Sequence, residues 1–544
     1  MKAGRKRIFK RQSSSSSGSW LDPTPLLLSS TLSTGEVNRL LQHYGFTKCE
    51  QADANLQTMA GNPEERHALA GILRKMLLYI AETADPDQAL NAWEHFVASG
   101  IQRRTLFQFL AQSPRMLHQL CMIFGNSPAM SETLIRDPML IYWLEEIKAD
   151  VDVPSQKDME AHLRESLRAV TTYERKCDVI RRFRRREMLR LGLRDLLSVG
   201  DVIETATALT HLATVLIQVV YDLVHAELAI THGLPHHQDR HGRWVETGFV
   251  VMGMGKLGGG ELNYSSDVDL VYLYEKSEGH TLGTHAHVTV SNEEYFEKLA
   301  REMTRVMTEG SDEGAIFRVD LRLRPEGDVG GLAHALDDAV QYYRTRGRDW
   351  ERMAFVKSYP IAGNKSVGLK FLRRIRTFIV GTPDMSSQEF LKSVRLLKSK
   401  IQIKLLRRGE ERRHVKLGFG GIREIEFLVQ AQQLLHAQQH PQVLERNTLK
   451  ALRRLQNAHI LPENVVRRLT ASYRFLRDLE HKLQIVNELQ THTLPRDLQE
   501  VSRCAVRMGY QKGPSYHEAA QRLLDDYNGH TTIVHQSYVQ YIGS

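Results

Sequence analysis

The sequence predicts an α+β chain, predominantly helical, with a small mixed sheet between an N-terminal helical region and a C-terminal helical bundle. Three observations predict it. Apolar residues recur at three- and four-residue spacing from about residue 30 to 235. Between about 245 and 395, short alternating runs break that pattern. After about 396 the helical spacing returns. The boundaries that follow are 1–29, 30–240, 241–395 and 396–544.

Taken in order, the first segment is basic and then serine-rich. Six of the first dozen residues are Lys or Arg, and SSSSSGS follows. Residues 1–29 therefore read as a disordered tail. They lack the continuous apolar stretch of a secretory signal; a transit-type peptide is the alternative. The formal charge of +9 over 544 residues falls largely in this tail, so the remainder is nearly balanced. Aromatic residues are 7% and are not interleaved with basic ones as a stacking groove requires, so nucleic acid is not an expected partner. Cys49, Cys121, Cys177 and Cys504 form no CxxC pair, which points to a reducing cytoplasm.

In the region 30–240, LAGILRKMLLYIAETA (69–84) and LFQFLAQSPRMLHQLCMIF (106–124) carry helical periodicity. Ser113-Pro114 and Ser127-Pro128 mark turns. RRFRRREMLRLGLRDLL (181–197) reads as a basic amphipathic helix. Its charges form a solvated face over Phe183, Met188, Leu189 and Leu193, with an acidic partner as the alternative. The apolar run 210–230 is interrupted by Gln218, Asp222, His225 and Glu227, so a buried helix is expected rather than a membrane span. The histidine-containing stretch 231–244 reads as an exposed loop.

The middle region carries the chemistry. An apolar strand, GFVVM (248–252), enters a glycine-rich turn, and a second strand opens with Asp267 and Asp269. Strand side chains alternate, so both carboxylates project to one face, where a divalent cation relieves their repulsion. Gly255, Gly258 and Gly259 allow backbone N–H groups to approach a phosphate, although Gly259-Gly260 is equally a tight turn. Lys256 is either a phosphate contact or an ordinary exposed lysine, and Ser265 and Ser266 are further candidate contacts. After a helix over 292–308, IFRVDLRLRP (316–325) alternates as a strand. It places Asp320 on one face with Arg322 and Arg324, whose guanidinium forks match phosphate oxygens. Metal-binding carboxylates beside a phosphate cradle point to metal-assisted chemistry on a nucleotide. The alternative for 316–325 is a surface strand of Asp–Arg pairs. Arg348, Glu351 and Lys357 either line the site or serve as caps and ion pairs. Arg423, Glu424 and Glu426 brace the bundle, and the GFGG turn (418–421) is a phosphate-binding helix start or a plain N-terminal turn.

The Gly-rich turn, the Asp-x-Asp strand and the later Asp strand resemble the polymerase-β-like nucleotidyltransferase superfamily. GMGKLGGGELNYSSDVDLVY, VDLRLRPEGDVGGL, GRDWERMAFVKS, LGFGGIREIEFLVQ and YRFLRDLEHKLQIVNELQTHTLP together resemble the glutamine synthetase adenylyltransferase family, from about residue 90 onward. The resemblance implies a nucleotidyltransferase domain over 241–395 in which Asp267, Asp269 and Asp320 are catalytic and hold two Mg²⁺ ions, with Mn²⁺ as the alternative. It implies glutamine synthetase, ATP or ADP, and phosphate as partners, and the PII signalling protein as a further one. The wording KLGGGELNYSSDVDLVY is closer to the adenylyl-removing module of such two-module enzymes. Phosphorolytic removal of AMP is therefore the expected activity. ATP-dependent adenylylation is the first alternative, and a degenerate nucleotide- or PII-binding module the second. Whether a second module follows Ser544 is left open by the sequence.

Overall fold

Helices begin where the chain supplies its own caps. In the computed structural model, which describes residues 20–148, 153–283, 288–381, 386–512 and 515–543, Ser33 with Glu36, Asn62 with Glu65 and Ser155 with Asp158 form reciprocal capping boxes. The Ser-Pro pairs are helix starts: Ser113 and Ser127 each accept an N–H from three residues on, and the proline takes the first helical position. The run 106–124 is accordingly two helices, Arg103–Gln112 and Pro114–Phe124. Residues 1–19 of the expected tail lie outside the described residues. Packed structure starts inside the 1–29 segment, because Pro25–Leu28 is a helical turn with Leu26 and Leu27 buried.

The basic run lies in the helix Tyr173–Leu196, and its solvated-face expectation is corrected. Phe183, Met188, Leu189 and Leu193 are buried as read, but so are Arg181, Arg190 and Arg194. The acidic partners are on the same chain: Arg185 meets Glu313 at 2.6 Å, Arg184 meets Glu488 at 3.5 Å and Arg190 pairs with Glu187. The helix Val202–His232 is long and apolar enough to cross a membrane by length and composition. Here it packs against the helices Tyr173–Leu196 and Asn292–Thr308, burying Leu212, Leu216, Ile217 and Val220.

Among the described residues eight strands follow. β1 (Leu234–Gln238) and β2 (Trp244–Glu246) form an antiparallel hairpin that β5 (His280–Leu282) extends. The exposed loop expected over 231–244 is thus a hairpin, in which His237 Nδ1 lies 2.9 Å from Thr247 Oγ1. The main sheet has the order β6 (Val319–Asp320), β4 (Val268–Tyr274), β3 (Phe249–Gly253), β8 (Tyr359–Gly363), and β7 (Ala333–Ala335) continues along the β6 edge of β4. β3 is antiparallel to both neighbours, whereas β6 and β7 run parallel to β4. The strand expected over 316–325 is only two residues long. The Asp320 carboxylate accepts the Arg322 backbone N–H at 2.9 Å and turns the chain away from the sheet.

This sheet separates two apolar cores. Phe249, Val251, Leu270, Tyr272 and Tyr274 face the N-terminal helices. Val250, Met252, Val271 and Leu273 face the C-terminal helices, among them Ile422–His436, Glu463–Gln484 and Tyr516–Ile542. By strand parity Asp267 and Asp269 share the second face, so they open toward the bundle.

Buried ion pairs join the regions. Lys482 in Glu463–Gln484 reaches Asp195 Oδ1 at 2.6 Å, and both side chains are buried. The other Asp195 oxygen has no hydrogen-bond partner. Lys482→Met should therefore leave an uncompensated buried carboxylate and cost about 3–5 kcal/mol, read as a lower urea midpoint than the parent chain shows.

Candidate active site

The turn after β3 folds tightly onto β4. Met254 N–H donates to the Asp269 carbonyl at 2.9 Å, and a short helical turn, Gly255–Gly259, follows. Gly255 adopts φ +53°, and a Cβ there would stand 2.7 Å from Asp269 Oδ2. Only glycine lets the carboxylate lie against the backbone at this point.

Parallel pairing of β4 and β6 sets Val268 opposite Val319 and Asp269 opposite Asp320. The three carboxylates line one wall of a cavity of about 670 Å³. Each is treated differently. Asp267 accepts from Arg318 Nε at 2.7 Å and from Gln490 Nε2 at 3.2 Å. Asp320 is clamped by Arg322 through Nε at 3.0 Å and Nη2 at 2.6 Å, which holds its carboxyl below the usual range. Asp269 accepts no hydrogen bond from any described side chain or backbone N–H. Burial, and then the charge of Asp320, push its carboxyl up to about 6.

The opposite wall comes from the bundle and carries cations. Lys416 lines the cavity without an ion-pair or hydrogen-bond partner among the described residues, and burial followed by the Arg423 charge lowers its ammonium pKa. Arg423 lies over the Phe427 ring. Lys357 is held between Glu261 at 2.7 Å and Glu426 at 2.9 Å. His492 sits with Nδ1 2.9 Å from Glu480 Oε1. Leu323, Trp350, Met353, Leu397 and Ile401 add apolar side chains to the lining.

Of the residues singled out in the sequence, Asp267, Asp269, Asp320, Gly255, Lys256, Ser266 and Arg322 line this cavity. Lys256 is not an exposed lysine: it pairs with the buried Glu480 at 3.0 Å, and burial lowers its ammonium to about 7. Four residues stand away from the lining. Ser265 donates to the Glu488 carbonyl, and the Gly258 carbonyl accepts from Arg446 at 2.8 Å. Gly259 approaches the Arg446 carbonyl, and Arg324 donates to the carbonyls of Leu321 and Gly331 at 2.9 and 3.0 Å. The Ser265 hydroxyl and the Arg324 guanidinium are spent on carbonyls, and the Gly258 N–H that a phosphate would need donates to the Met254 carbonyl at 3.0 Å. Arg348 and Glu351 are a helix start, with Arg348 N–H on Glu351 Oε2 at 2.7 Å. Lys416, Gln490 and His492 were not picked out from the sequence. They lie 96 or more residues beyond Asp320, and no spacing rule ties them to the Asp strands.

The GFGG turn resolves as a tight turn. The N–H groups of Gly421, Ile422, Arg423 and Glu424 bond to the carbonyls of Gly418, Val415, Lys416 and Gly421, which leaves none for a phosphate. Gly420 has φ +61°, and a Cβ on Gly421 would meet the Val415 carbonyl at 2.7 Å.

Among the described residues no three acidic, His or Cys side chains stand ready around one ion. The arginine clamps on Asp267 and Asp320 account for this. The donor set nonetheless fits a hard divalent cation: three carboxylates line the cavity, and the half-buried Asp269 has no donor among the described residues.

Residues 117–374 match a family model described as glutamate-ammonia ligase adenylyltransferase, and residues 395–542 match one described as GlnD PII-uridylyltransferase. A bifunctional glutamine synthetase adenylyltransferase/adenylyl-removing enzyme from Nitrosococcus oceani is 35% identical over 412 residues, covering 75% of this chain and 41% of the relative. A protein of the same name from Thioalkalivibrio sulfidiphilus is 39% identical over 333 residues, covering 61% of this chain and 33% of the relative. Another from Bordetella pertussis is 39% identical over 372 residues, covering 66% and 38%. The chain thus spans about two fifths or less of the length of these curated relatives.

The raised Asp269 pKa has a measurable sign. In the metal-free protein, folding forces this carboxyl to bind its proton more tightly than the unfolded chain does, whose value is about 3.9. Its contribution to stability therefore falls as pH rises from about 4 to about 6 and is level above that. Asp269→Asn should gain stability over the parent progressively through that window and hold the gain at neutral pH. Urea midpoints of both proteins at pH 4.5 and 7 check it.

Proposed function

We propose that this chain, which matches the glutamate-ammonia ligase adenylyltransferase family model over residues 117–374, is a metal-dependent nucleotidyltransferase acting on glutamine synthetase, removing AMP from an adenylylated tyrosine by phosphorolysis. One observation carries the reading: the β4–β6 register sets Asp269 beside Asp320, with Asp267 just ahead of the first residue of β4, at the wall of a cavity large enough for a nucleotide. Adenylyl removal is preferred because the text of the Gly-rich turn resembles the removing module. Placement in the cytoplasm and a PII partner for the segment 395–542 belong to the same proposal.

Asp267, Asp269 and Asp320 would hold Mg²⁺ or Mn²⁺. Such ions neutralise charge on the attacking and leaving oxygens of an in-line displacement at phosphorus. The chain's own groups do the rest. The apolar lining residues Trp350, Met353, Leu397 and Ile401 suit a purine and would exclude water from it. Arg318 and Arg322 pair with Asp267 and Asp320, and their forks match phosphate oxygens once released. A phosphate oxygen attacks the AMP phosphorus, the P–O bond to tyrosine breaks, and the phenolate takes up a proton. The tyrosyl oxygen leaves readily because its conjugate acid has a pKa near 10.

Purified full chain, incubated with adenylylated glutamine synthetase, Mg²⁺ and phosphate, should release ADP. Consumption of ATP with labelling of unmodified glutamine synthetase would instead give the adenylylating direction. Asp269→Asn should lower turnover by at least about a thousandfold while its thermal midpoint stays at or above the parent's. Parent-like turnover in that variant would remove the carboxylate mechanism.

A further inference from the structure

Across the cavity, nearly every charge is already matched by the chain. Arg318 takes Asp267, Arg322 takes Asp320, Lys256 takes Glu480, and Lys357 takes Glu261 and Glu426. Among the described residues this leaves a bare carboxylate, Asp269, on the sheet side and two cations on the bundle side, Lys416 without an ion pair and Arg423 with only a long one. The nearest described carboxylate to Arg423 is Glu426, whose Oε2 lies 3.7 Å from Nε while its Oε1 is bonded to Lys357 at 2.9 Å; Arg423 Nε is buried and makes no hydrogen bond among the described residues.

The two cations are held side by side by the backbone. Arg423 N–H donates to the Lys416 carbonyl at 2.9 Å, Ile422 N–H donates to the Val415 carbonyl at 3.0 Å, and Val415 N–H donates to the His492 carbonyl at 2.8 Å. The glycine turn between them can close this tightly only because Gly421 carries no Cβ. Like charges fixed together and turned into a shared cavity repel each other, and the lowered Lys416 ammonium reflects that repulsion on top of burial. Bringing up an anion removes the cost.

Resting on the nucleotidyl-transfer reading of this cavity, the geometry points to Lys416 and Arg423 as a subsite for a phosphate that is not the one being cleaved. It faces the carboxylate wall, so the metal-binding and anion-binding halves of the site come from different parts of the chain. In phosphorolysis the phosphate bound here is the incoming nucleophile, and it becomes the β-phosphate of the ADP formed. In ATP-dependent adenylylation, where pyrophosphate leaves, the same groups hold the outer phosphates of the ATP. Arg423 is also stacked on Phe427, which fixes its fork in place and lowers the ordering cost of binding.

Equilibrium dialysis of inorganic phosphate against the full chain, without added divalent metal, tests this apart from catalysis. The parent should bind phosphate saturably. Lys416→Ala and Arg423→Ala should each weaken binding at least about tenfold, the loss of one charge-assisted contact. Lys416→Arg should stay within about threefold, since the charge is kept. Far-UV circular dichroism matching the parent's guards against misfolding. ADP should displace the phosphate while AMP does not, because only ADP carries the outer phosphate. The inference is overturned if the parent shows no saturable binding, if both alanine variants bind as the parent does, or if AMP competes as well as ADP. Phosphate binding that behaves as expected in a chain without AMP transfer would sink the functional proposal and leave the subsite standing. Transfer that persists with phosphate binding untouched by both variants would do the opposite.

Discussion

The Lys357 ammonium, held between the carboxylates of Glu261 and Glu426, ties the turn after β3 to the C-terminal bundle. All three groups are buried, so the pairing is strong only because each partner is present, and loss of any one leaves a charge in a low-dielectric interior. Around it Arg477 binds Glu480 at 2.7 Å and reaches the Glu261 carbonyl, and Thr448 bonds to the Glu261 carboxylate. The glycine-rich turn is therefore anchored in position. Without that anchor the Asp267–Asp269 face of β4 would open to solvent, and no second wall would exist to make a cavity.

The cavity is built from two surfaces of opposite character. The sheet wall presents carboxylates, one of them bare. The bundle wall presents Lys416 and Arg423, which no acidic side chain on the chain neutralises fully. A site with that division suits a ligand that brings both a cation and an anion, as a metal-bound phosphate does. Nucleotidyl transfer is the reaction class that uses such a ligand, and the matches to glutamine synthetase adenylyltransferases supply the substrate for the proposal.

Several elements were legible in the sequence because they depend on local rules. The helix over Asn292–Thr308 runs as its periodicity predicts, and the Ser-Pro pairs start helices because serine caps and proline needs no N–H partner at the first turn. The α+β class, with a sheet between two helical regions, holds for the same reason. Other expectations failed where a distant partner overrode a local pattern. Alternation over 316–325 predicted a long strand, yet the Asp320 side chain captured the Arg322 N–H and ended it after two residues. The arginines of Tyr173–Leu196 looked like a solvated face, but Glu313 and Glu488 meet them inside the molecule.

The residue types that a phosphate- and metal-handling site needs were set by the sequence alone. Two aspartates at alternate positions of a strand share a face whatever surrounds them, since side-chain direction on a strand has a period of two. Tertiary structure decided which of the candidate polar groups stand free in the cavity and which are spent on their own chain. Arg324, Ser265 and Gly258 were used up by backbone contacts, while Lys416, Gln490 and His492 arrived from far along the chain. Both outcomes depend on which surfaces the two apolar cores press together, and pairing across that distance leaves no periodic trace in the text.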